Sequence, residues 1–135
     1  MKYIVGIDYG SKFCGLARAD ALSPVKIANP WCVLRRHELE NFILKHKGEI
    51  DSVVLGLSLD LHGKENAVNK EIRDFKDFLE EHGFKVHFQD ERFTSQAVLA
   101  EERLARRKTK DRKSHKKERL DAKAATLILQ SFLDT

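Results

Sequence analysis

Apolar and polar residues along the first part of the chain follow patterns that predict three strands. Residues 3–7 form a nearly continuous apolar run that ends at Asp8, as expected of a buried strand entering a tight turn. Residues 14–19 resume an extended pattern after only a few positions, so the two segments predict a β-hairpin. Residues 28–34 predict a third strand, and Pro30 within it argues for the edge of a sheet.

The remainder of the chain alternates between helical and extended patterns. The predicted helices span residues 36–47, 67–81, 94–107 and 118–133, and the predicted strands span residues 52–57 and 84–88. Gly48 and Gly83 are expected to end the first two helices. Three leading strands followed by alternating helices and strands predict an α/β fold, with a mixed five-stranded sheet flanked by helices.

Length and composition favour a single domain over residues 1–135. A chain of 135 residues is long enough to bury its own core. No apolar run approaches the ~18–20 residues of a membrane span, and the first residues do not resemble a signal peptide, so we expect a cytoplasmic protein with no membrane partner. Cys14 and Cys32 lack the spacing of a zinc site and are expected to be buried apolar residues in a reducing compartment.

Charge is distributed unevenly along the chain. The whole sequence carries a formal charge of +4, yet residues 103–119 alone contain 10 basic and 2 acidic residues. The remaining residues therefore carry a net charge of −4. A dense basic block suits a polyanion such as nucleic acid, and it also fits a solvated surface loop.

Three acidic residues occupy positions where an ionised carboxylate is costly. Asp8 ends the first buried strand, and Glu91 follows the last predicted strand. At 100° per residue, Asp121 falls within the apolar arc of the last helix, between Ile128 and Phe132. Each carboxylate loses solvation there unless it has a cation, a hydrogen-bond donor or a metal nearby.

Each of these acids also has a purely structural explanation. Asp8 could bond to its own turn, Glu91 could pair with a basic neighbour, and Asp121 could favour the dipole at its helix start. Taken together, however, carboxylates gathered at strand ends repel one another unless a hard divalent cation joins them, and oxygen ligands suit Mg²⁺ or Mn²⁺. Two such ions about 4 Å apart commonly serve phosphodiester cleavage, so the pattern indicates a metal-dependent nuclease.

Four sequence motifs, in order and at fitting distances, resemble one known family. They are GIDYGSKFCGLARAD at residues 6–20, VVLGLSLDLHG at 53–63, DERFTS at 90–95 and LDAKAATLILQSFLD at 120–134. Over the whole chain, this set is similar to the YqgF family, the Holliday-junction-resolvase-like group of bacterial nucleases connected with precursor 16S rRNA.

The resemblance implies a ribonuclease-H-like fold and points to the same three acids. The aspartate of GIDYG is Asp8, the glutamate of DER is Glu91, and the aspartate before the Ala-Ala pair of the last helix is Asp121. They would be the catalytic and metal-binding residues, holding Mg²⁺ or Mn²⁺. The family role would be hydrolysis at the 5′ end of precursor 16S rRNA in ribosome biogenesis, with structured RNA as the favoured partner.

Basic residues near these motifs are candidates for nucleic-acid binding. Lys12 follows the Asp8 turn and could face a phosphate, but its position fits an ordinary surface lysine better. Arg92 could orient Glu91 or touch the substrate backbone. A basic cluster would add affinity without base specificity; it comprises Arg106, Arg107, Lys108, Lys110, Arg112, Lys113, Lys116 and Lys117.

Some features leave other functions open. Ser58 stands where the family usually has Pro, and His62 where it often has Asp, which puts in doubt the shape of that loop. GIDYG also resembles a phosphate-binding hairpin of actin-like ATPases, but 135 residues supply only one of the two domains these need. The sequence is also compatible with a resolvase of branched DNA and with a non-catalytic ribosome-assembly factor. It does not distinguish a monomer from a homodimer.

Overall fold

The structure, a computed structural model, describes residues 2–10, 12–57, 67–90 and 114–135, with the backbone alone described at positions 57, 67–69, 90 and 114–121. The strands are β1 (Tyr3–Asp8), β2 (Phe13–Asp20), β3 (Asn29–Arg35), β4 (Ile50–Leu57) and β5 (Lys85–Asp90), and the α-helices are α1 (Leu39–Lys45), α2 (Ala67–Glu81) and α3 (Ser114–Leu133). Among the described helices, none has the length and apolarity needed to cross a membrane.

The five strands form one mixed sheet in the order β3-β2-β1-β4-β5. β2 is antiparallel to both of its neighbours, whereas β1, β4 and β5 run parallel. β1 therefore lies at the centre of the sheet, and the carboxyl ends of the three parallel strands meet at one edge. The predicted mixed five-stranded sheet is confirmed, and the strand that contains Pro30 is an edge strand as expected.

One face of the sheet is covered by α1 and α2 and is built from large side chains. Val5 and Ile7 of β1 belong to a cluster with Ile43 of α1 and Leu79 of α2, and all four are fully buried. Burying an aliphatic side chain of this size contributes roughly 1.5–3 kcal/mol. This large-residue layer is therefore a main source of the stability of the fold.

The opposite face packs against α3 and is built from small side chains. Ala17 and Ala19 of β2 are buried in a cluster with Ala125 and Leu129 of α3. Gly6 of β1 lies directly beneath the helix, because a Cβ added there would lie 2.6 Å from the Leu129 Cβ. The missing side chain lets α3 approach the central strand closely, so we call this the small-residue layer.

Two predicted helices differ from the observed ones. In place of a helix over residues 36–47, α1 covers only Leu39–Lys45, with a 3₁₀ turn on either side. The backbone leaves the helical conformation at His46, whose Nδ1 lies 2.7 Å from Glu49 Oε2. The last helix begins at Ser114 rather than at residue 118, because the lysines before its apolar stripe are good helix formers.

Other boundaries agree to within two residues, and Gly83 follows α2 with the left-handed φ of 87° expected of a helix end. The helix predicted over residues 94–107, and the loop that contains Ser58 and His62, lie outside the described residues.

Candidate functional site

Asp8 lies at the carboxyl end of the central strand and is half-buried. Because side chains alternate along a strand, Asp8 shares its face with Ile4 and Gly6, the face covered by α3. Its carboxylate thus lies at the edge of the small-residue layer.

Asp121 lies on the backbone of α3 one helical turn before Ala125, on the row that continues to Leu129. The carbonyl oxygen of Ala125 lies 3.2 Å from a Cβ added at Gly6, so this row is the one that faces β1. The buried residues of α3 lie on this row and to either side of it, so position 121 falls within the arc that they occupy; they are Ala122, Ala124, Ala125, Ile128 and Leu129.

The direction of α3 relative to the parallel strands relates Asp121 to Asp8. Gln89 Nε2 donates a hydrogen bond of 3.0 Å to Ser131 Oγ, whereas the earlier His87 packs on the later Phe132. Residue numbers along α3 therefore decrease in the direction in which those along β5 increase, so α3 runs antiparallel to the parallel strands. Gly6 lies beneath Ala125 and Leu129, and the strand advances about 6.6 Å from Gly6 to Asp8, so Asp8 lies toward the amino-terminal end of α3, the end at which position 121 is found.

The space beside Asp8 on the α3 face is bounded by β4 and β5. The register sets Ile7 beside Leu55 and Leu55 beside Phe88, so Asp8 is level with Gly56 and Gln89. Gly56 carries no side chain, and two strand spacings separate Asp8 from Gln89 by about 10 Å. Glu91, the third predicted acid, is two positions beyond Gln89 in sequence and lies outside the described residues.

The turn after Asp8 requires glycine. A Cβ added at Gly10 would collide with the carbonyl oxygen of Phe13, and a backbone atom cannot rotate away as a side-chain end can. This close contact fixes the start of β2 against the end of β1. The turn therefore holds the backbone of Asp8 in a defined position.

On the other face of the sheet, Tyr9 and Arg36 tie the same turn to its surroundings. Arg36 pairs with Glu71 of α2 at 2.8 Å and hydrogen-bonds the Tyr9 side chain, and its backbone N–H donates to the Lys12 carbonyl at 2.9 Å. Burial raises the pKa of the Tyr9 phenol, while Arg36 acts in the opposite direction. Sequence reasoning missed this network, although the Arg35–Arg36 pair at the end of a predicted strand was a visible signal.

Both cysteines belong to the large-residue layer. Burial raises the pKa of Cys14 to about 11, and the charge of Asp8 acts in the same direction. Burial likewise raises the pKa of Cys32 to about 11. Both thiols are therefore neutral at physiological pH; Cys14 is buried as predicted, whereas Cys32 is only half-buried, packed against the core.

The predicted site residues are described to different extents. Asp8 and Lys12 are described with their side chains, and Lys12 is exposed; Asp121, Lys116 and Lys117 are described by their α3 backbone. Outside the described residues lie Glu91, Arg92, Arg106, Arg107, Lys108, Lys110, Arg112 and Lys113. Within the described part of the chain, no three side chains of His, Cys, Asp or Glu form a metal-binding group.

The sheet order and the helix packed on its central strand define a ribonuclease-H-like fold. Two solved structures of Thermus thermophilus RuvC share it, each with a TM-score of 0.54. One, at 18% identity, covers 94% of this chain and 91% of that chain; the other, in complex with a Holliday junction substrate, is 19% identical over 96% and 91%. The chain thus belongs to the class of proteins with a ribonuclease-H-like fold.

Sequence comparison identifies the family within this class. The profile of the family described as RuvX, Holliday junction resolvase, matches residues 2–135. A protein of Bacteroides fragilis named "Putative pre-16S rRNA nuclease" is 33% identical over 100% of this chain and 98% of its own length. A Tropheryma whipplei protein of the same name is 37% identical over 98% and 87%. The chain belongs to the RuvX family, the group that the sequence motifs indicated.

Proposed function

We propose that this chain is a metal-dependent endonuclease that processes the 5′ end of precursor 16S rRNA in the cytoplasm. The observation that carries the proposal is the position of Asp8, half-buried at the carboxyl end of the central strand, on the face of the sheet that the helix bearing Asp121 covers. The names of the curated relatives supply the substrate. The whole chain would act as one nuclease domain.

The chemistry of the donors fits a hard divalent cation. Asp8, Asp121 and Glu91 offer only carboxylate oxygens, which suit Mg²⁺ or Mn²⁺ and not a soft metal. Bound there, such ions would supply an activated water and neutralise the charge that develops on the leaving oxygen. Asp8 would be the central ligand because it ends the middle strand, with Asp121 opposite it and Glu91 completing the site.

The protein itself contributes rigidity to this site. The Gly10 turn and the close approach of α3 over Gly6 restrict the movement of Asp8 relative to α3. Carboxylates that are already held in position before the metal binds lose less conformational entropy when it binds. The carboxylate of Asp8 would also orient the attacking water through a hydrogen bond.

Substrate affinity would come mainly from basic residues. Lys12 follows Asp8 by four positions in the sequence. Arg92 and the cluster over residues 106–117 follow Glu91. Contacts from these side chains to phosphates would bind RNA without reading bases, and their affinity would fall steeply with salt.

The test is a cleavage assay with two substrates in parallel. Labelled precursor 16S rRNA containing the 5′ cleavage region and a four-way DNA junction are each incubated with Mg²⁺, with Mn²⁺ and with EDTA. Asp8→Asn is compared with the wild type, because it keeps the shape of the side chain and removes its charge. We expect metal-dependent RNA cleavage that EDTA abolishes and that Asp8→Asn lowers by about 10²–10³-fold, the order expected when a charge-stabilising group is lost.

A matched control is Asp20→Asn, at the far end of the β1–β2 hairpin, where Asp20 accepts a hydrogen bond from the Leu22 backbone N–H. It should cleave like the wild type, and circular dichroism should show both variants folded. RNA binding without metal-dependent cleavage by the wild type would overturn the proposal in favour of a non-catalytic assembly factor.

Cleavage of branched DNA is the second candidate function. The description of the matched family and the Holliday junction complex of the RuvC neighbour favour it. Junction cleavage without RNA cleavage would assign the chain to recombination. Since resolving a junction needs two cuts, the active species would then be a dimer, which sedimentation analysis would detect.

A further inference from the structure

A cavity of about 570 Å³ opens beside the turn that follows Asp8. Its walls come from the β1–β2 turn and from the junction between β3 and α1, and they consist of Tyr9, Lys12, Phe13, Arg35, Arg36, His37 and Glu40. Asp8 is not among its described lining residues. The cavity is within the size range of ligand-binding clefts.

The charge of the lining favours an anion. Its described residues include three permanent cations, Lys12, Arg35 and Arg36, and one carboxylate, that of Glu40. Arg36 is already paired with Glu71, whereas neither Lys12 nor Arg35 has an ion pair within the described part of the chain. Two cations are thus available to a ligand at the mouth of the cavity.

The walls of the cavity are held in place before any ligand binds. Arg36 is fixed by Glu71 and by the Lys12 carbonyl, and its guanidinium lies 5.8 Å from the Tyr9 ring centroid. The Arg35 guanidinium lies 5.9 Å from the centroid of the Phe13 ring, and the Arg35 backbone N–H donates to Glu38 Oε1 at 3.1 Å. Such support reduces the ordering cost of binding.

The adjoining surface limits where an anion can lie. A smaller cavity of about 180 Å³ shares Tyr9, Arg36 and Glu40 with the first and adds Glu71 and Asp74. Its three carboxylates repel a polyanion. An anionic ligand is therefore confined to the Lys12 and Arg35 side, away from α2.

We propose that this cavity binds a backbone phosphate of the substrate strand, with Lys12 and Arg35 as its ligands. Tyr9 follows Asp8 directly, so the cavity and the proposed cleavage site flank the same turn at the carboxyl end of β1. A strand cleaved at Asp8 and passing over this turn would set a neighbouring phosphate against the two cations. The inference rests on the proposed function for the identity of the strand, and its test does not require cleavage.

The experiment measures binding of a fluorescently labelled RNA with the 5′ region of precursor 16S rRNA in EDTA, over a series of KCl concentrations. The double variant Lys12→Ala/Arg35→Ala is compared with Lys45→Ala/Lys85→Ala, which removes two exposed charges, at the end of α1 and at the start of β5. The first variant should bind about tenfold more weakly, and its slope of log K against log salt should fall by about 0.7–1.4. The second should match the wild type.

Each result has a defined meaning. An unchanged salt slope and affinity in Lys12→Ala/Arg35→Ala would overturn the proposal, and so would equal losses in the two double variants. Restoration of binding by Lys12→Arg/Arg35→Lys would support charge as the cause. If the wild type binds RNA through this cavity but cleaves nothing, the proposed nuclease function fails while the phosphate site stands.

Discussion

The two faces of the sheet differ in the size of their side chains and in what they contribute to the structure. The large-residue layer under α1 and α2 contains Ile7, Leu79 and other fully buried aliphatic side chains. The small-residue layer under α3 contains Gly6 and Ala125, and there the helix approaches the strand closely. The first layer removes more apolar area from water, whereas the second fixes the distance between two backbones.

The placement of Asp8 and the stability of the fold therefore depend on separate parts of this molecule. Asp8 belongs to the α3 face, where small residues leave little freedom for movement, and Tyr9 belongs to the other face. Consecutive residues at the end of β1 therefore serve the proposed metal site and the proposed phosphate cavity. Substitutions in the two layers should have different consequences, and the following predictions use that difference.

The largest effect is expected from Gly6→Ala in the small-residue layer. The new Cβ would lie 2.6 Å from the Leu129 Cβ, so α3 must shift outward and carry Asp121 away from Asp8. A misplacement of about 1 Å costs on the order of 10²-fold in rate. RNA cleavage should fall about 10²-fold, with a loss of about 1–3 kcal/mol in the free energy of unfolding. Wild-type cleavage rates in this variant would contradict the role of the close contact.

Leu79→Ala in the large-residue layer should lower the stability of the fold strongly and change the cleavage rate little. Leu79 is fully buried, so truncation leaves a cavity and should lower the free energy of unfolding by about 2–5 kcal/mol. The side chain lies on α2, away from the α3 face, so the cleavage rate of the folded protein should change little. Urea unfolding and cleavage assays at a temperature where the variant is folded would check this. A rate loss as large as that of Gly6→Ala would remove the distinction between the layers.

Alkaline pH should weaken the large-residue layer specifically, because both cysteines belong to it. The folded protein raises the pKa of Cys14 from 9.0 to about 11, so its contribution to stability is complete below pH 9 and is lost as pH rises towards 11. At about pH 10.5 the loss is on the order of 2 kcal/mol for Cys14. Urea midpoints should therefore fall more steeply with pH in the wild type than in Cys14→Ala/Cys32→Ala. If the urea midpoints of the wild type and of this double variant fall in parallel as pH rises, the cysteines are not the cause of the loss.

The smallest effect is expected from the ion pair between Arg36 and Glu71. Both side chains are about 40% exposed, so solvent screens the 2.8 Å contact and its coupling energy should be at most about 1 kcal/mol. A double-mutant cycle with Arg36→Ala and Glu71→Ala, measured by thermal unfolding, gives this energy. The matched cycle is Lys76 with Glu80 within α2, where about 0.3–0.5 kcal/mol is expected. A coupling energy below that of the helical pair would argue against a structural role for Arg36.

Much of the fold could be predicted because its signals are local. The apolar run of β1, the spacing of apolar residues in α2 and the glycine after it each follow from a few neighbouring residues. Prediction was weakest where non-local contacts decide, as in α1. There the His46 ring lies 5.2 Å from Trp31 and 4.4 Å from Phe42, and the helix ends at Lys45, before the predicted glycine stop.

The letters of the chain were enough to select the candidate acids, one at the end of a buried strand and one within an apolar helical arc, and to indicate the family through four motifs. The close approach of α3 to the central strand over Gly6, and the meeting of Lys12 and Arg35 in one cavity, are visible only in the folded chain. The physical reason is distance along the chain. Burial and periodicity are properties of single segments, whereas contacts between segments more than 20 residues apart depend on how the whole sheet assembles.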